Sequence, residues 1–218
     1  MNVDKHLQDA LQWIRENQER FWAITGGVLL SCLLIGLIVR HRQTESDEAW
    51  SQLGTIQGQL MQGKFDDARK GLEGWQPRFQ SSDAATYAKF MKADLLYRTT
   101  DYVQASQVYG ELAQSGSPDS VKPLALSAQI DCEEMAGHYP QAQALAQTFL
   151  DRYPDHFLAA TRYMSQARLA ELSGNAPAAV AVYERFILLF PQSPWTALAH
   201  ARLQALGKSS PTPNTTPK

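Results

Sequence analysis

The sequence predicts an all-α chain. One apolar helix crosses a membrane near the N-terminus, and a helical solenoid of about four helix pairs plus a C-terminal capping helix follows. Three observations carry this. Residues Phe65, Tyr102, Tyr139 and Ala176 stand 37 apart, and Ala68, Ala105, Ala142 and Ala179 keep the same step three places on. A fixed period of 20–50 residues signals stacked supersecondary units. Residues 21–39, FWAITGGVLLSCLLIGLIV, hold no charge over nineteen positions. No segment shows the alternation of a half-buried strand.

The apolar segment is long enough to span, since about 20 apolar residues cross a hydrocarbon core. Phe21 and Trp22 suit one interface, and Arg40-His41-Arg42 closes the other side. A buried core helix would be the alternative reading. A cleaved signal peptide would end in small residues, but RHRQTESDE follows Val39. Leu29-Leu30-Ser31-Cys32 loosely resembles a lipoprotein acylation box, yet Cys32 lies in mid-run with LLIGLIV still to come. A retained span is expected. Lys5, Arg15 and Arg20 precede it, and Arg40 and Arg42 follow, a slight lean towards an N-terminus inside. Residues 1–20 place Val3, Leu7, Ala10, Leu11 and Ile14 at helical spacing, an amphipathic leader.

The repeat region is read as residues 43–207. Gln43–Gln62 and Phe65–Phe79 form a first pair. A helix capped by Ser82 or Asp83 runs to Arg98 and returns as Tyr102–Ala113. Pro118 suits the start of the third pair, Ser120–Ala136 with Pro140–Arg152. The fourth is Phe157–Leu172 with Pro177–Leu189. Ser193 caps a last helix with Pro194 at its first position, ending at Gly207. Residues 208–218, KSSPTPNTTPK, read as a disordered tail. An alanine at the period position lets helices approach closely, and Leu72, Tyr109, Ala146 and Tyr183 fill the space one turn on.

Composition excludes some functions. Residues 43–218 carry 15 basic and 18 acidic side chains, which is no nucleic-acid footprint. Cys32 and Cys132 cannot pair across a membrane boundary, and Cys132 reads as a small buried hydrophobe. The five histidines are scattered, with no metal-ligand spacing. There is no phosphate-binding glycine loop and no nucleophile elbow. Glu133-Glu134 and Asp66-Asp67 are adjacent pairs pointing to different helix faces. No catalytic, cofactor or metal site is expected.

Gly137, Tyr139, Ala142, Ala146, Phe149 and Pro154 resemble the tetratricopeptide repeat, and Gly174, Ala176, Ala179, Tyr183, Phe186 and Pro191 repeat the pattern. Trp50, Leu53 and Gly54 give a W-x-x-L-G opening with two extra residues before Gly63; the second unit has Thr100 where glycine is expected. The resemblance covers about 49–206 and implies a protein-binding solenoid whose first helices line the concave face. That phase puts Gln57, Asp94, Asp131 and Arg168 in one column, with Tyr97, Glu134 and Glu171 beside it. Arg98, Tyr87, Phe90 and Met164 lie nearby, giving a candidate groove for an extended or helical peptide. The alternative reading of these residues is interhelical salt links or solvated positions. Leader, span and repeats together resemble a bacterial inner-membrane family of ancillary translocon subunits (YfgM-like). This layout implies an inner-membrane scaffold with its repeats periplasmic, assisting secretion or envelope assembly through translocon or chaperone partners. A lipoprotein-type assembly factor and a cytoplasm-facing regulator of a membrane enzyme are the alternatives.

Overall fold

The computed structural model describes residues 18–79 and 84–209. The amphipathic leader, the Ser82/Asp83 cap and residues 210–218 of the tail lie outside the described residues. Within them the chain is helical throughout: α1 (Gln18–Met61), α2 (Phe65–Phe79), α3 (Ala85–Arg98), α4 (Tyr102–Ser115), α5 (Val121–Met135), α6 (Tyr139–Arg152), α7 (Ala159–Leu172), α8 (Ala176–Leu189) and α9 (Thr196–Ser209). Each helix packs on its neighbours in sequence, so the fold is a solenoid.

One conformational event recurs at every 37-residue step. Gly63, Thr100, Gly137 and Gly174 all have positive φ, between 65° and 78°. Each ends an odd-numbered helix with the same pair of backbone bonds. At the third turn, Gly137 N–H donates to Glu134 O and His138 N–H to Glu133 O, both at 2.9 Å. This satisfies the terminal carbonyls and reverses the chain. Thr100 departs from the pattern in identity but not in conformation. Its N–H donates to Tyr97 O at 3.0 Å, as its glycine counterparts do one and two periods on. A β-branched residue there carries strain that glycine escapes.

Packing follows the same phase. Ala68, Ala105, Ala142 and Ala179 are fully buried where the helices cross. Trp75, Leu112, Phe149 and Phe186 fill the next layer, and three of them are among the largest fully buried side chains. Tyr102 packs edge-on against Tyr97 of the preceding helix, ring centroids 5.3 Å apart. Cys132 is buried in this core, and burial pushes its thiol up to about 12.

α1 is a single helix where the sequence reading started a separate one at Gln43. At 1.5 Å per residue its length is about 66 Å. The charged junction does not break it: Thr44 Oγ1 donates back to His41 O at 2.9 Å, and His41 pairs with Glu45. Its apolar window is wholly exposed, so the core-helix alternative fails. Among the described residues this one helix is long and apolar enough to cross a membrane. Trp75 anchors α2 to it by donating Nε1–H to Ala49 O at 3.0 Å, and Arg78 pairs with Glu48 at 2.7 Å.

Three helix boundaries differ from the reading. Pro118 lies in a turn before α5, where its carbonyl accepts the Val121 N–H, and Pro123 occupies the first turn instead. Ser193 and Pro194 form a turn before α9, with Ser193 O accepting from Thr196 N–H. Gly207 lies inside α9, because no positive-φ turn forms there to end the helix. α9 closes the stack with a polar outer face. His200, Arg202, Gln204 and Gly207 are exposed, whereas Tyr163, Ser165, Ala167 and Ala170, one period earlier, are buried.

Two kinds of substitution test this construction in opposite directions. Ala142→Leu or Ala179→Leu should destabilise by about 1–3 kcal/mol through overpacking, while Ala144→Leu on the exposed side of α6 should change little. Thermal melting of the three variants decides it. Thr100→Gly should stabilise by about 1 kcal/mol, as relief of left-handed strain outweighs the added unfolded-state freedom; a lowered melting temperature would contradict the shared turn geometry.

Candidate functional site

The odd-numbered helices form one face of the solenoid, and the 37-residue step sets their exposed side chains in columns. Trp50, Tyr87, Leu124 and Leu198 occupy equivalent positions, interrupted by Thr161, and all four are partly exposed. Trp50 and Tyr87 touch, with centroids 4.9 Å apart, which sets the first unit in the common register. Met61, Met135 and Leu172 make a second exposed apolar column, broken by Arg98. Between these columns runs the polar line of Gln57, Asp94, Asp131 and Arg168.

The expected groove residues fall into two groups. Gln57, Phe90, Asp94 and Arg98 line a recess of about 360 Å³ with Leu60, Met61, Met91 and Tyr109. Tyr87 lies beside it on Trp50. Phe90 leans edge-on against Tyr109, whose hydroxyl is driven well above the ordinary tyrosine range, chiefly by burial and then by the Asp94 charge. Asp131, Glu134 and Arg168 belong to α5 and α7 instead. Arg168, with Met164 and Glu171, lines a second recess of about 510 Å³ between α7, α8 and α9. Tyr97 is turned into the packing between the groups; burial, then the nearby Asp131 charge, raises its hydroxyl pKa.

Each carboxylate of the polar line, and of the column beside it that holds Glu134 and Glu171, already has an arginine. Asp94 accepts from Arg98 one turn on, at 2.8 Å. The other three pairs join successive repeats: Asp131 with Arg162 at 2.6 Å, Glu134 with Arg168, and Glu171 with Arg202. Glu171 also accepts from the Tyr183 hydroxyl at 2.6 Å. Burial, then this bond, pushes that hydroxyl up to about 12, while Arg202 holds the Glu171 carboxyl below its usual range. These links staple one odd helix to the next.

Arg162 is the least expected of these residues. It stands in the column of Ala88, Ala125 and Ala199, all fully or nearly fully buried, and is itself 5% exposed. Its Nη1 reaches Asp131 and, at 3.2 Å, Ser127 O, while Nε is buried without a hydrogen-bond partner. A step of 37 from Ala125 would have located the position; nothing in the sequence indicated that an arginine could be packed there. The same step from Tyr87 would have found Trp50, Leu124 and Leu198, had apolar columns been traced as the charged ones were. Among the described residues, no three His, Cys, Asp or Glu side chains are grouped to hold a metal ion.

Comparison with known proteins bears on the fold. No family model matches the chain. It is 26% identical over 209 residues to a TPR repeat-containing protein of Treponema pallidum (strain Nichols), covering 84% of this chain and 85% of that one. Among solved structures it resembles the MamA RS-1 ArsTM double mutant, with a TM-score of 0.56 and 14% identity, over 74% of this chain and 90% of that one. The fold is a tetratricopeptide solenoid. A tetratricopeptide-like solenoid offers a long continuous surface to other proteins or peptides.

The paired charges give a prediction about stability. Asp131→Ala leaves the buried Arg162 without its counter-ion and should cost about 1–3 kcal/mol. Adding Arg162→Ala restores the small residue of that column and should recover most of the loss. Chemical denaturation of both variants measures the difference; equal losses would mean that Arg162 contributes by packing rather than by its pair.

Proposed function

We propose that the chain is a membrane-anchored protein-interaction scaffold that assists secretion or envelope assembly. In this reading residues 21–39 form a retained inner-membrane span, the N-terminus is cytoplasmic, and the repeats stand outside. The observation that carries it is α1, in which an apolar exposed stretch continues without a break into the first packed helix of the solenoid. The lean of positive charge towards the N-terminal side supports the orientation, and the tetratricopeptide-type relative supports a protein or peptide partner. A role beside a translocon or a chaperone rests on the order of leader, span and repeats.

The odd-helix face is the docking surface in this reading. Its exposed aromatic and aliphatic columns flank a charged line whose members are internally paired. A ligand therefore gains apolar contact beside a row of polar groups, an arrangement suited to an amphipathic helix or extended segment.

Protease added to spheroplasts should remove the solenoid and leave a short membrane fragment; survival of the solenoid until lysis would reverse the orientation. In the same cells, a photocrosslinker placed at Tyr87 or Leu124 should trap a discrete partner. One placed at Leu188, exposed on the even-numbered α8, should not. Equal trapping from both faces would remove the groove assignment.

A further inference from the structure

Several ion pairs of the odd-helix face bury one partner and present the other. At the centre the carboxylate is on show: Asp131 has 42% of its side chain exposed over an Arg162 at 6%. Towards α9 the order inverts. Arg168 is 53% exposed over a Glu134 at 10%, and Arg202 is 48% exposed over a Glu171 at 12%. The glutamates thus form the floor there and the guanidiniums form the surface. A bidentate pair engages two of the five N–H donors of an arginine, so donors remain on both for an incoming acceptor.

Both guanidiniums line the recess of about 510 Å³ between α7, α8 and α9. Glu171 is the one carboxylate among its lining residues, and Tyr183 and Arg202 occupy its oxygens. Met164, Leu172, Trp195 and Leu198 supply apolar walls. At the recess near α1 no guanidinium stands over a buried carboxylate; there Asp94 and Arg98 are about equally exposed. The two ends of one face therefore differ in chemistry.

We propose that the α7–α9 recess takes an acidic, apolar peptide segment. A bulky apolar side chain seats on Met164, Trp195 and Leu198, and an adjacent glutamate or aspartate of the ligand bonds to Arg168 and Arg202. The ligand carboxylate meets the exposed N–H edge of each guanidinium before it meets the buried glutamate behind. A lysine-rich segment of equal hydrophobicity meets two exposed cations instead, and like charges are rejected. This deepens the reading of the odd-helix face as a docking groove and rests on it.

The test uses the full chain in detergent micelles and two blocked, fluorescein-labelled heptapeptides, one alternating leucine with glutamate and the other leucine with lysine. Fluorescence anisotropy should show the glutamate peptide binding at least tenfold more tightly. Leu198→Glu puts a carboxylate on the half-exposed rim of the recess and should weaken that binding at least tenfold. Leu188→Glu, the same change on the other face, should leave it unaltered. Arg168→Lys keeps the charge but loses the fork, and should weaken the glutamate peptide several-fold without helping the lysine one. Equal affinity for the two peptides, or binding indifferent to Leu198→Glu, overturns the proposal. Crosslinking from Tyr87 in cells reports on the groove separately. If trapping persists while the glutamate peptide fails, the acidic-ligand inference falls and the docking groove stands.

Discussion

Everything in this solenoid depends on how closely two helices approach at one repeated point. Ala68, Ala105, Ala142 and Ala179 have no exposed surface at all, so the helix axes there are held as near as a methyl group permits. The left-handed residue five places earlier reverses the chain so that the crossing can form. Together they fix the rotation of each unit on the last. Every column on the surface, apolar or charged, inherits its alignment from that pair of constraints.

Polar groups cooperate with this packing at the joints between units. Asp131–Arg162, Glu134–Arg168 and Glu171–Arg202 each run from one odd helix to the next. Such pairs add little where both partners are exposed, but here one member of each is largely withdrawn from water. A withdrawn charge is costly to leave unpaired, so the links specify which odd helices face each other as much as they stabilise them. They also determine what the groove displays, because burying one partner leaves the other in view.

Continuity of α1 has a mechanical consequence in the proposed membrane setting. The first unit is not tethered by a loop; Trp75 and Arg78 of α2 clasp the same helix that carries the apolar stretch. Orientation of the docking face relative to the membrane is then set by helical phase between about residue 40 and Ala49, with no hinge of glycine or proline between them.

The sequence by itself determined the all-α class, the apolar segment and the phase of the units. Spacing of small, aromatic and turn residues reflects local requirements that a chain must meet wherever it folds. Thr100 shows the strength of that phase, since the turn forms there without its glycine. Helix ends at Pro118, Ser193 and Gly207 were misplaced because a proline or glycine is compatible with several turn geometries, and packing selects among them. Only the tertiary structure decided the candidate face. A 37-residue step shows that Asp131 and Arg168 share a column, but not that Arg162 is buried beside Asp131 or that Glu134 lies beneath Arg168. Exposure belongs to neighbours brought in from 31 to 34 residues away, and no local pattern records which of two charged partners packing will leave to solvent.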